Sequence, residues 1–263
     1  SGVAGTTSNL KALECFWRAE EHFFRFVKGD NAAARQWTQK AVELDPKFAG
    51  AWALMGWTHL WDVNFGWSKS PPDSIKGALE CAQKAIGLSD SCAKAYSLMG
   101  WINFIQRRFD EAIENGEKAV RINPNDPTML VVLAGIMHFS GRFDESIALV
   151  KNGMRLCPYY PAFYLRPLSM SYFLAGRYEE ALAASELMLA RAQKGEFSPL
   201  LAHLYLAEAY VGLGQDHKAR AHAEEMLKMN PNFSLADARK TMLYKDPTHV
   251  ERHIDALRKA GLK

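Results

Sequence analysis

One phrase returns along this chain, and its return limits the fold more than any other feature. It reads "AWALMGWTHL" at 51, "AYSLMGWINF" at 95, "MLVVLAGIMHF" at 129, "FYLRPLSMSYF" at 163 and "LYLAEAYVGL" at 204. Small residues hold one phase of it, Gly56, Gly100, Ala134, Ser169 and Ala207, at separations of 44, 34, 35 and 38 residues. A second phrase follows each copy with its own small phase, Ala34, Ala78, Ala112, Ser146, Ala181 and Ala219. Self-similarity at such a period is the mark of a repeat array. Apolar residues recur at helical intervals within each phrase, so each unit reads as two amphipathic helices. The small residues let paired helices approach, while Phe109, Phe143 and Tyr178 fill the volume beside them. Pro46, Pro124, Pro158 and Pro231 close the second helices, because the residue before proline is pushed out of the α region. No such unit buries its apolar face alone; stacking does.

The pattern resembles the tetratricopeptide repeat (TPR): about 34 residues, helix–turn–helix, small residues at fixed phases and a closing proline. The resemblance implies an all-α fold, a right-handed α-solenoid of about six helix-turn-helix repeats with a C-terminal capping helix. Residues 1–10 read as a disordered segment or cloning remnant, and 11–233 as the solenoid. Its units lie near 15–48, 49–92, 93–126, 127–161, 162–199 and 200–233. The first unit is degenerate, with His22 where a small residue is expected, and Pro167 should kink or delay the first helix of the fifth. Residues 234–263 read as capping helices, with Asp246 and Pro247 as N-cap and first turn and Val250, Ile254 and Leu257 as the apolar stripe.

The second unit carries about ten extra residues over the repeat period, an insertion over 62–74 that holds Phe65 and Trp67. The sequence predicts that Ser70 caps the helix behind it and that Phe65 and Trp67 fold back over Trp61. A second reading has Trp57 and Trp61 also lining a ligand-facing groove. The phrases "WTHLWDVNFGWSKSPPDSIKGALECAQKAIGL" and "YKDPTHVERHIDALRKAGLK" resemble the repeat region carried behind the catalytic domain in bacterial class III adenylate/guanylate cyclases. That resemblance implies a regulatory or interaction module in cyclic-nucleotide signalling. Similar repeats also stand behind other output domains, winged-helix regulators among them. No metal-binding aspartate motif of a cyclase domain is recognisable here.

Catalytic signals are absent elsewhere too. There is no phosphate loop, nucleophile elbow or H-E-x-x-H, so the chain is expected to be no enzyme, with no catalytic residue, cofactor or metal. His249 and His253, four residues apart, read as a solvated surface pair, and His59 and His138 as packed side chains on inner faces. Net charge +3 is too mild to announce a nucleic acid, and no apolar run reaches the ~20 residues that span a bilayer. The four cysteines form no C-x-x-C pair and read as buried thiols. They favour the cytoplasm; a membrane segment upstream would instead place the module in the periplasm.

Projecting the inward phases of the first helices gives Phe23, Phe26, Trp57, Trp61, Trp101, Ile105, Phe139, Arg166, Met170 and Phe173 as a partner-binding groove. Only Lys94, Asn103 and Arg166 bring polarity to it. This argues against clamping a C-terminal carboxylate and against reading RNA. An aromatic groove suits a protein or peptide partner, above all an amphipathic helix. A second copy of the chain, giving a homodimer that brings attached cyclase domains together, is the alternative, as is a free-standing adaptor.

Overall fold

The computed structural model describes residues 7–25 and 27–263, and over them the chain is all-α, with fourteen α-helices, one 3-10 turn and no strand. It divides into two units within one helix, between Val132 and Leu133. The first unit holds α1 (Leu10–Phe23), α2 (Lys28–Leu44), α3 (Ala49–Asn64), α4 (Pro71–Leu88), α5 (Ala93–Ile105), α6 (Phe109–Ile122) and the start of α7 (Pro127–Phe139). The second holds the end of α7, then α8 (Phe143–Leu156), the 3-10 turn (Ala162–Tyr164), α9 (Leu165–Leu174) and α10 (Tyr178–Gln193). It ends with α11 (Pro199–Gly212), α12 (Asp216–Met229), α13 (Leu235–Thr241) and α14 (Pro247–Lys259).

In the first unit α1, α3 and α5 each pack on the helix that follows, and α3 also meets α1 and α5. The small residues sit where these helices approach closest. A Cβ on Gly56 would fall 2.4 Å from Leu98 Cδ2 and 2.9 Å from Cys81 Cβ, so α3 can lie against α4 and α5 only with hydrogen at that position. All seven tryptophans belong to this unit. Thr7 bonds to Asp45, and Asn9 caps α1 by accepting from the amides of Lys11 and Ala12, so order begins before residue 10.

The insertion is built on the end of α3. The Asp62 carbonyl accepts from Trp67 N at 2.8 Å and Ser68 N at 2.9 Å, and Gly66 takes the left-handed conformation that the turn requires. Ser70 does occupy the N-cap position of α4, but its side chain makes no capping bond. Ser68 Oγ takes the local role, accepting from Ser70 N and pairing with Ser74 Oγ.

In the second unit Pro167 delays α9: the 3-10 turn comes first, and the proline falls in the opening turn of α9, where a missing N–H costs nothing. The C-terminal segment does not simply stack behind α12. From α13 it runs to the end of α7, where Lys245 N donates to the Phe139 carbonyl at 2.9 Å. α14 then returns past α9, with Arg252 Nη1 donating to the Leu174 carbonyl at 2.6 Å, and packs on α11 and α13. Leu235 N donates to the Lys263 carbonyl and closes the circuit.

Candidate functional site

The first unit assembles an aromatic row on α1 and α3. Phe23 stacks on Trp61 with centroids 5.9 Å apart, Trp57 lies 5.2 Å from Trp61, and Phe65 lies 5.5 Å beyond it. Trp67 stacks on Phe65 at 4.7 Å. Phe23 and Trp57 are buried, whereas Trp61, Trp101 and Ile105 are half-buried against the same core and Phe65 is exposed. The Trp101 indole N–H has no acceptor in this structure. Phe26 lies outside the described residues. The polar positions nearby are already engaged: Lys94 pairs with Glu20 and sits over the Phe16 ring, and Asn103 accepts from Arg108 at 2.6 Å. His59 lies not on the inner face but over Gly77 of α4, and its burial lowers its pKa.

Beneath the row, Asn31 and Arg35 of α2 reach across to α3. Asn31 Nδ2 donates to the Thr58 carbonyl and to Asp62 Oδ1, and Arg35 Nη2 donates to Asp62 Oδ2 at 2.7 Å. The carboxylate that receives them belongs to the residue whose carbonyl holds the insertion. The aromatic edge is therefore fixed to the helix pair before it.

The second unit answers differently. Its four groove positions are not a continuous open surface: Met170 and Phe173 are buried, Phe139 is half-buried, and only Arg166 is exposed. The chain's own tail covers the aromatics, with Tyr244 5.0 Å from Phe139 and His253 5.2 Å from Phe173.

Under the tail runs a line of polar side chains drawn from five elements. Ser171 Oγ donates to Ser146 Oγ, and His138 Nδ1 lies 2.9 Å from Ser171 Oγ. His138 Nε2 lies 2.5 Å from Tyr244 Oη, which lies 2.8 Å from His253 Nε2. His253 Nδ1 lies 2.7 Å from Glu208 Oε1. The order of protons follows from one end. With the Ser171 hydroxyl spent on Ser146, His138 must donate from Nδ1 and accept at Nε2 from Tyr244. Tyr244 then accepts from His253 Nε2–H, which leaves one proton shared between His253 Nδ1 and Glu208. Burial, with His253, Arg166 and His249 nearby, holds the His138 pKa well below its ordinary value, and burial raises that of Tyr244 well above. Both stay neutral, as this proton order requires.

The expectation of a solvated pair at His249 and His253 is corrected here: the two do share a helical face, but that face is turned inward. His253 is 1% exposed, and His249 is half-buried with its ring 4.9 Å from Phe143. The network's members were not anticipated as a group. A signal existed in Glu208 and His138, each set in an otherwise apolar phrase, since a buried polar group demands a partner. Their partners lie 45 and 106 residues away, beyond the reach of the repeat period. Arg166 donates from Nε to Tyr205 Oη at 3.0 Å, and Tyr205 is the first cause of its raised pKa. Among the described residues no group of three or more His, Cys, Asp or Glu could hold a metal ion, and no helix is long and apolar enough to cross a membrane.

This is the architecture of an α-helical repeat array. The model of the tetratricopeptide repeat matches residues 93–126, which cover α5 and α6. The fold is similar to that of a chain in the APC/C hetero-tetramer Cut9–Hcn1, with 16% identity and a TM-score of 0.68 over 95% of this chain. This chain spans only 46% of that one. It is also similar to PilW, a type IV pilus biogenesis factor, with 17% identity and a TM-score of 0.63 over 89% of this chain and 100% of that one. YrrB, a TPR protein with an unusual peptide-binding site, aligns at 19% identity and a TM-score of 0.50, over 77% of this chain and 97% of its own. A search of curated protein sequences gave no match.

Proposed function

We propose that this chain is a non-catalytic interaction module that takes a peptide or helix on the aromatic face of its first unit, at Trp61, Trp101 and Ile105, with buried Phe23 and Trp57 backing that face. The observation that carries this reading is the accessible aromatic surface of Trp61, Trp101 and Phe65, mounted on a rigid helix layer whose nearby polar groups pair internally. Aromatic anchors of this kind dominate binding energy. Trp61→Ala is expected to weaken partner capture at least tenfold, about 1.4 kcal/mol. Unchanged affinity in a folded variant, read by calorimetry against a captured and sequenced partner, would remove the groove reading.

We further infer that the module regulates a class III cyclase-type catalytic domain. The support is sequence resemblance: the insertion that builds the aromatic edge and the ending that forms the tail are the two segments that look like the cyclase-linked repeats. Cyclic-nucleotide synthesis by the cognate catalytic domain, assayed with and without residues 7–263, tests it. Identical rates and identical oligomeric state in both forms would reject the link. A dimer that Trp61→Ala dissolves would favour self-association instead.

A further inference from the structure

The second unit carries a surface that the groove reading does not use. We propose that the strip formed by the ends of α7, α9 and α11 is a helix-docking site whose resident occupant is the chain's own segment 244–262, and that an amphipathic helix from a partner gains the strip by replacing it. The inference stands on the second unit alone and survives or fails independently of the first unit's groove.

The seating of α14 is that of a ligand helix. It lays Val250, His253, Ile254 and Leu257 on the strip, spaced as one helical face, and leaves Glu251, Asp255 and Arg258 in solvent. An amphipathic helix pressed into a groove through such anchors is a recurring recognition mode. The remaining contacts are of the same kind: a main-chain bond to the end of α7 and a guanidinium on the last carbonyl of α9. An element held through one helical face and a few polar bonds can open below the global unfolding barrier.

The strip also states what a replacement must look like. When the tail leaves, His138 Nε2 loses the Tyr244 hydroxyl, Glu208 Oε1 loses the His253 ring, and the Phe139 carbonyl loses an amide. Buried polar groups left unpaired oppose an all-apolar helix. The partner helix is therefore amphipathic and carries a hydroxyl or imidazole on its apolar face, so the site selects by polarity as well as by shape.

Two measurements on the full chain test this. By native-state hydrogen exchange, the amides of α14 are expected to exchange together and at least tenfold faster than the buried amides of α11. Exchange of α14 no faster than α11 overturns the proposal, because the tail would then be inseparable from the core. In the second measurement a fluorescein-labelled peptide of sequence 242–263 is added to the wild-type chain and to Tyr244→Phe, whose own tail is held less firmly. The variant is expected to bind it at least about tenfold more tightly, since apparent affinity rises with the open fraction. Equal affinity for both proteins, or no binding to a variant whose helix content is intact, overturns the proposal.

Discussion

Replacing Tyr244 with phenylalanine keeps the ring and removes one oxygen, which makes it the cleanest probe of the buried line in the second unit. That oxygen stands 2.5 Å from His138 Nε2 and 2.8 Å from His253 Nε2. Its loss leaves an acceptor and a donor unpaired at two residues that are 0% and 1% exposed. Each stranded group costs about 1–3 kcal/mol, so the expected loss from the two is about 2–6 kcal/mol. With a guanidinium m-value of about 2–6 kcal/mol/M, the midpoint of the transition that reports the second unit should fall by about 0.3–3 M. Tyr205→Phe is the control. It also deletes a buried phenol oxygen, but its partner Arg166 is exposed and can turn to water, so the cost should stay near 1 kcal/mol. Far-UV circular dichroism during guanidinium titration measures both. A Tyr244→Phe loss below 1 kcal/mol, or one equal to that of Tyr205→Phe, would refute the proton order and the claim that the line is closed to water.

The same groups set a pH profile. Burial holds His138 below its ordinary pKa, so the folded state binds fewer protons than the unfolded chain. Its stability should be full above about pH 6.5 and decline below it, by up to about 1.4 kcal/mol per pH unit; a flat profile between pH 7 and 5 by chemical denaturation would contradict this. At the alkaline end burial pushes the Cys81 thiol up to about 12, and the folded state holds a proton that the unfolded chain gives up from about pH 8.5. Stability should therefore also fall above that pH, and a Cys81→Ala variant should show a shallower fall, with buried Cys92 holding the rest. Thiol reagents at pH 8 should label Cys81 and Cys92, both buried with raised pKa values, only as fast as the chain opens, and label half-buried Cys15 and Cys157 sooner. Gly56→Ala should destabilise the first unit by about 1–3 kcal/mol through crowding against Leu98 and Cys81; an unchanged thermal midpoint would show that α3 can move aside.

The helices were legible because their causes are local. Small residues at a fixed phase and a filling aromatic recur along the chain, and four of the second helices, α2, α6, α8 and α12, end two residues before Pro46, Pro124, Pro158 and Pro231. The aromatic face of the first unit followed from the same register, since Phe23, Trp57 and Trp61 meet through neighbouring helices. The second unit's site was hidden because it depends on the one segment that leaves the period. Nothing in a repeat says that its tail will turn back, and a stripe of Val250, Ile254 and Leu257 fits an end cap as well as a groove occupant. The hydrophilic look of "THVERHID" misled for a physical reason: its histidines are satisfied by Glu208 and Tyr244, and a paired polar side chain has no need of water.

All seven indoles lie before residue 102, and eight of the nine tyrosines lie after residue 158. Light thus divides the molecule without a label. Emission excited at the red edge of indole absorption speaks for the first unit alone, and the ultraviolet absorbance of phenols speaks mainly for the second. An event at the aromatic row and an event under the tail will arrive in separate optical channels of the same cuvette.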